Sequence, residues 1–178
     1  SKEERLRESS RRSEKAVREV EKRHKESVER SKEEIRRLAE ELRKSIEDSE
    51  RRIKEIRERG KARDELLEEL RRVNDEVRDR LRRLKERLEE VNKESKDSVD
   101  DLKRKLREVN ERAKELITRN VDTDRLLEEH RKLVERILEE LEKNLERHRR
   151  VVKEILDRVK ELLDEHRRRV EEIERKIE

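Results

Sequence analysis

Apolar side chains recur along this chain at steps of three and four, the spacing of one helix face, and two short breaks divide them into three lines. The first line passes through Leu6, Ser9, Ser13, Val17, Val20, His24, Ser27, Ser31, Ile35, Leu38, Leu42, Ser45, Ser49, Ile53 and Ile56. The second runs from Leu66 and Leu70 through Asn74, Val77, Leu88, Asn92, Ser95, Val99, Leu106 and Asn110 to Leu116. The third carries Leu127, Val134, Ile137, Leu141, Leu145, Val152, Ile155, Val159, Leu163, Val170, Ile173 and Ile177, with His130, His148 and His166 on the same line. These lines predict helices over residues 2–59, 64–118 and 123–178.

The punctuation agrees with them. Ser1 and Glu4 have the spacing of a capping box, and Gly60 suits the left-handed residue just past a helix end. Lys61 to Arg63 form a short connection, and Asp64 is expected to cap the second helix. Asn120 is placed to end it; Asp122 caps the third helix, with Val121 and Leu126 as a hydrophobic staple. Loops this short force neighbours to run antiparallel.

The third helix writes one eighteen-residue unit three times, with His130, His148 and His166 equivalent; Asn74, Asn92 and Asn110 are equivalent in the second. Eighteen residues are five turns at roughly 3.6 per turn, so the stripe does not drift and the expected bundle is nearly straight. Folding at the breaks brings residue n of the first helix level with 122 − n of the second and n + 120 of the third. Ser9 and Ser13 then meet Asn110 and His130, Ser27 and Ser31 meet Asn92 and His148, and Ser45 and Ser49 meet Asn74 and His166.

Each layer is expected to hold two hydroxyls, one carboxamide and one imidazole, a set able to satisfy its own hydrogen bonds. A single serine on an apolar face more often bonds back to a carbonyl of its own helix, but matched positions on three helices favour a network. A further set, His24, Ser98 and Asn144 with Ser95 nearby, occurs only in the middle unit, where the equivalent places are mostly leucine. It is expected to penalise a slip of eighteen residues, since each unsatisfied buried group costs about 1–3 kcal/mol.

Composition narrows the class further. With 61% charged and 27% apolar residues the chain is either a disordered polyampholyte or long helix, and strict periodicity decides for helix. No Cys, Pro, Met or aromatic residue is present, so disulfides and thiolate metal sites are excluded. The 56 basic and 52 acidic residues are mixed along every segment, which reads as a solvated, ion-paired surface and gives no support to nucleic-acid or membrane binding. No apolar run reaches the length of a membrane span or signal core, so the expectation is a soluble chain without a targeting signal, made recombinantly in the cytoplasm.

A core without aromatics or long loops offers no cleft for convergent titratable groups, so neither an enzyme, a cofactor nor a small-molecule substrate is expected. Metal binding is not expected either: the three layer histidines are about 27 Å apart along the helix. His24 and His148 are placed where they could be neighbours at the centre, but two nitrogens without carboxylates make a thin site.

Idealised long helices, eighteen-residue units, Ser/Asn/His layers in an aliphatic core and a Glu/Lys/Arg surface together resemble the de novo designed helical bundles with buried hydrogen-bond networks. The resemblance implies a scaffold without a natural substrate, and a pH-responsive assembly where histidine layers are buried. The expected fold is all-α: one domain over residues 1–178, a straight antiparallel up-down-up three-helix bundle. A monomer is expected. The third helix, with Leu126, Leu133, Leu138, Val151, Leu156 and Leu162 flanking its core line, is where a second copy or a helical partner would dock.

Overall fold

A computed structural model describes residues 1–60, 63–119 and 122–177. Three long helices pack against each other, α1 (Lys2–Glu58), α2 (Asp64–Thr118) and α3 (Thr123–Ile177), with no strand among the described residues. The fold is therefore an all-α three-helix bundle.

Local chemistry sets the helix ends. Ser1 Oγ accepts from the Glu4 N–H at 3.3 Å while the Glu4 carboxylate lies 3.6 Å from the chain's ammonium, closing the capping box. Beyond α1, Gly60 adopts φ 69° and donates its N–H to the Arg57 carbonyl at 3.1 Å. At α2 the expectation needs correction. The Arg63 carbonyl accepts from both Leu66 and Leu67, so Arg63 takes the capping position and Asp64 is the first helical residue. The Asp64 carboxylate still lies at the positive end of the helix dipole. Asp122 caps α3 through Oδ1, which accepts from the Asp124 N–H at 3.2 Å. Lys61, Asn120 and Val121 lie outside the described residues, and with them the proposed staple and the second helix stop.

The chain divides into two compact units, each taking a stretch of all three helices. The first comprises residues 1–29 and 91–150. Its core is Val17, Val20, Val99, Leu102, Leu106, Val134, Ile137 and Leu141. The second comprises residues 30–90 and 151–178. It packs Leu42, Ile46, Val77, Leu162 and Leu163 in one cluster and Ile53, Leu67, Leu70, Val73, Val170, Ile173 and Ile177 in another. In each unit α1 and α3 run parallel and α2 antiparallel to both. In the first unit Ser9 meets His130 and Arg23 meets Glu142, whereas Asn110 meets His130 and Ser95 meets Asn144; in the second Ser45 meets His166 and Arg52 meets Glu174, whereas Leu67 and Leu70 pack with Ile173 and Ile177 and Val77 packs with Leu162 and Leu163.

The inward line is close to the expected one, with one change of register. Leu67 is fully buried and Leu66 only half-buried, because Leu67, Leu70 and Asn74 share the line that leads into the polar layer. On α3, Leu126, Leu156 and Leu162 are buried within the chain, Leu138 and Val151 are half-buried, and Leu133 is 43% exposed.

Candidate functional site

Among the described residues, chemistry away from the charged surface is concentrated in the buried polar side chains. Asn74, Asn92, Asn110, Asn144 and all four histidines are buried, as are Ser13, Ser31, Ser49 and Ser95; Ser9, Ser27, Ser45 and Ser98 are half-buried. Helical geometry explains the difference. The buried serines stand on the apolar line itself, and the half-buried ones stand one step to its side.

In the first unit, His130 donates Nε2–H to Asn110 Oδ1 at 2.8 Å and receives the Ser9 hydroxyl at Nδ1 at 3.2 Å. A carboxamide oxygen only accepts, so it fixes the proton on Nε2 and leaves Nδ1 as the acceptor. The second unit repeats this chain: His166 donates to Asn74 Oδ1 and Ser45 reaches His166 Nδ1, both at 2.8 Å. There Ser49 also lies 3.0 Å from Asn74 Oδ1, so all four expected members meet.

The first layer departs from the expectation of two hydroxyls. Ser13 donates to the Ser10 carbonyl at 2.8 Å instead of joining Asn110, and Ser49 divides its hydroxyl with the Ile46 carbonyl at 2.8 Å. Both are back-bonds within α1, the local competitor that a serine in a helix always has. The Asn74 and Asn110 amide nitrogens and the buried Ser10 hydroxyl are left without partners. Ser10 was not among the expected layer positions, although the places equivalent to it hold Val28 and Ile46, and Ile46 is buried.

The middle layer differs. His148 donates Nε2–H to Asn92 Oδ1 at 2.7 Å, but its Nδ1 is buried without a partner. Ser27, the counterpart of Ser9, does not reach it. Ser31 is buried in the second unit. In place of a hydroxyl the His148 ring has another imidazole beside it: the His24 and His148 centroids are 5.2 Å apart, with the planes tilted by 51°.

The set found only here is a triad across three helices. His24 Nε2 lies 2.5 Å from Ser95 Oγ, and Asn144 donates Nδ2–H to the Ser95 carbonyl at 3.2 Å and to its Oγ at 3.4 Å. Ser95 is thus the hub and Ser98, expected to be the member, stands to its side. The signal was present in the spacing: Ser95 is equivalent to Val77 and Ala113, which are both buried core residues.

Burial pushes all four imidazoles below their ordinary pKa of 6.5. For His130 burial is the whole cause. For His166 the Arg169 and Arg167 charges add to it, whereas Glu21 and Asp100 oppose it at His24. His148 moves furthest, to about 4, through burial first, then the neighbouring His24 and then Arg149.

The surface offers less. An open groove of about 610 Å³ in the second unit is floored by Leu84 and Leu162 under Arg80, Arg83, Arg87 and Arg158. Cross-helix ion pairs staple each unit: Arg5 to Asp124 and Lys103 to Glu21 in the first, Arg169 to Glu76 in the second. Among the described residues no group of three or more His, Cys, Asp or Glu is placed to hold a metal, and no helix is long and apolar enough to cross a membrane. No protein-family model, curated protein or solved structure was found that matches the chain.

Proposed function

We propose that this chain is a designed structural scaffold whose buried polar layers fix how its three helices align, without natural catalytic activity, substrate or cofactor. The reading rests on one observation: His130 and His166 each join a serine of α1 to an asparagine of α2 from a position on α3. Aliphatic side chains pack in many nearly equivalent ways, whereas a chain of directional hydrogen bonds is satisfied at one height. The connections, residues 59–63 and 119–122, are short enough to resist a large slip but not a shift by one turn. Such a shift would set each imidazole against leucine or valine and leave several buried groups unpaired, at about 1–3 kcal/mol each. Interleaved surface charge and the burial of Leu126, Leu156 and Leu162 favour a monomer that contacts neither nucleic acid nor membrane.

The test is to replace His130, His148, His166, Asn74, Asn92 and Asn110 together by leucine and to place spin labels at Arg11 of α1 and Lys132 of α3. The parent should give one narrow distance. The aliphatic variant should stay helical and melt higher, with a second distance population displaced by about one turn, 5.4 Å. A single, unshifted distance in the variant would show that aliphatic packing and the connections suffice.

A second reading, an acid-responsive module, is favoured by His148, whose buried Nδ1 has no partner and whose neighbour is another imidazole. Protonating either ring of the pair works against the other.

A further inference from the structure

Between α1 and α2 of the second unit lies an open groove of about 380 Å³ whose lining includes the buried Ile53 and Asn74 as its floor. Its rim carries four cations, Lys54, Arg57, Arg71 and Arg78, against two carboxylates, Glu50 and Asp75. We propose that this groove is a binding site for one small tetrahedral oxyanion, phosphate being the physiological example, held by Lys54, Arg57 and Arg71 with the Asn74 amide as the donor at its floor.

The floor supplies the first reason. Asn74 is 1% exposed, and its Oδ1 already accepts from His166 at 2.8 Å and from Ser49 at 3.0 Å. Its Nδ2 is buried without a partner. A buried donor without an acceptor is costly, and an anionic oxygen is the acceptor that forms the stronger bond with it. The rim supplies the second. Arg78 bridges Glu50 and Asp75, and Arg71 lies 3.7 Å from the exposed Glu68, a pair of little strength, which leaves Lys54 and Arg57 uncommitted among the described residues. Guanidinium forks match the oxygens of an oxyanion in spacing as well as in charge.

The internal repeat supplies a third, independent reason. Two repeats away, in the first unit, Glu14, Arg18, Arg107, Glu111 and Lys114 keep the signs of Glu50, Lys54, Arg71, Asp75 and Arg78, and Asn110 stands for Asn74. One place reverses. Glu21 occupies the position of Arg57, and it is paired with Lys103 at 3.0 Å. The first unit therefore balances its cations with carboxylates, whereas the second leaves an excess of positive charge above an equally unpartnered asparagine. Arg57 also stands in the last turn of α1, where a cation suits the helix dipole. The dipole accounts for its sign and not for its convergence with three other cations above a buried donor.

The experiment titrates the full ¹⁵N-labelled chain near neutral pH with sodium phosphate, and in parallel with sodium chloride at matched ionic strength, and follows the asparagine side-chain amides. The expected result is a saturable shift of the Asn74 amide in phosphate, a much smaller one in chloride, and an unmoved amide at Asn110. Arg57→Glu gives the groove the charge pattern of the first unit, and should weaken phosphate binding at least about tenfold with helix content unchanged. Absence of a saturable shift at Asn74 overturns the proposal. So does an equal response to chloride, which would be screening alone, or an equal response at Asn110; both are read in the parent and need no variant. Unchanged affinity in Arg57→Glu overturns it as well.

Discussion

Lowering the pH should destabilise this protein through its buried histidines, and His148 above all, because its pKa moves furthest. The ring is buried, its Nε2–H is committed to Asn92, and His24 stands beside it. Burial first, then His24 and Arg149, bring its pKa from 6.5 to about 4. A folded value below the unfolded one means that the native state binds fewer protons than the unfolded chain. The stability that depends on this neutral ring is therefore complete above about pH 6.5 and is lost as the pH falls toward about 4, below which the native ring protonates as well. At 1.36 kcal/mol per pH unit, that window amounts to roughly 3 kcal/mol. His24, His130 and His166 are lowered in the same direction, so their losses carry the same sign.

The assay is urea unfolding followed by far-ultraviolet circular dichroism, repeated at pH steps across that window for the parent and for His148→Asn. The variant keeps a donor for Asn92 but has no proton to take up. Its unfolding free energy should fall by about 3 kcal/mol less than the parent's over the same steps, while surface carboxylates supply a background common to both. Parallel curves would refute the reasoning, since they would mean that the His148 ring has an ordinary pKa and is not kept neutral by burial.

Two further outcomes follow from individual hydrogen bonds and dihedrals. Ser45→Ala should cost about 1–2 kcal/mol in urea unfolding, because it leaves Nδ1 of the fully buried His166 unpaired. Ser49→Ala should cost under about 1 kcal/mol, since Asn74 Oδ1 keeps its bond from His166, and equal losses would mean that water replaces the half-buried Ser45. Gly60→Ala should lower the melting midpoint by the equivalent of about 1–2 kcal/mol, because nothing lies within 4 Å of an added Cβ and the cost is that of φ 69° alone. An unchanged midpoint would mean that the helix end re-forms without the left-handed residue.

Helix boundaries and inward faces were legible because each depends on local rules: a step of three or four, a cap, one glycine. The heights of the layers were legible too, since two short connections leave little freedom in pairing n with 122 − n and n + 120, and Ser9–His130 and His130–Asn110 fall within a residue or two of that frame. What spacing does not encode is how one hydroxyl divides between rival acceptors. Ser13 and Ser49 occupy equivalent places, yet Ser13 is committed to its own helix and Ser49 reaches Asn74 as well. The same limit applies to Ser95 and Ser98, both near the height of His24: three residues apart on α2, they differ by a small rotation around the helix, and that rotation decides which hydroxyl enters the core.

The triad answers a problem that the regular layers create. Identical units spaced eighteen residues apart are interchangeable, so helices from two separate chains could pair one unit out of step with two of the three Ser/Asn/His layers still matched. His24, Ser95 and Asn144 break that equivalence, because the places equivalent to them hold Leu6 and Leu42, Val77 and Ala113, and Leu126 and Leu162, all buried. A pairing shifted by eighteen residues would press these side chains against the imidazole, hydroxyl and carboxamide and leave each without its partner, at about 1–3 kcal/mol apiece. Within one chain the short connections already oppose that shift, so the role proposed for the triad is chiefly against exchange between chains. The cost is visible in the native state, where a second imidazole beside His148 accompanies a ring nitrogen with no partner. The irregular layer, proposed to make the alignment unique, is also the one where a proton would do most to change the protein.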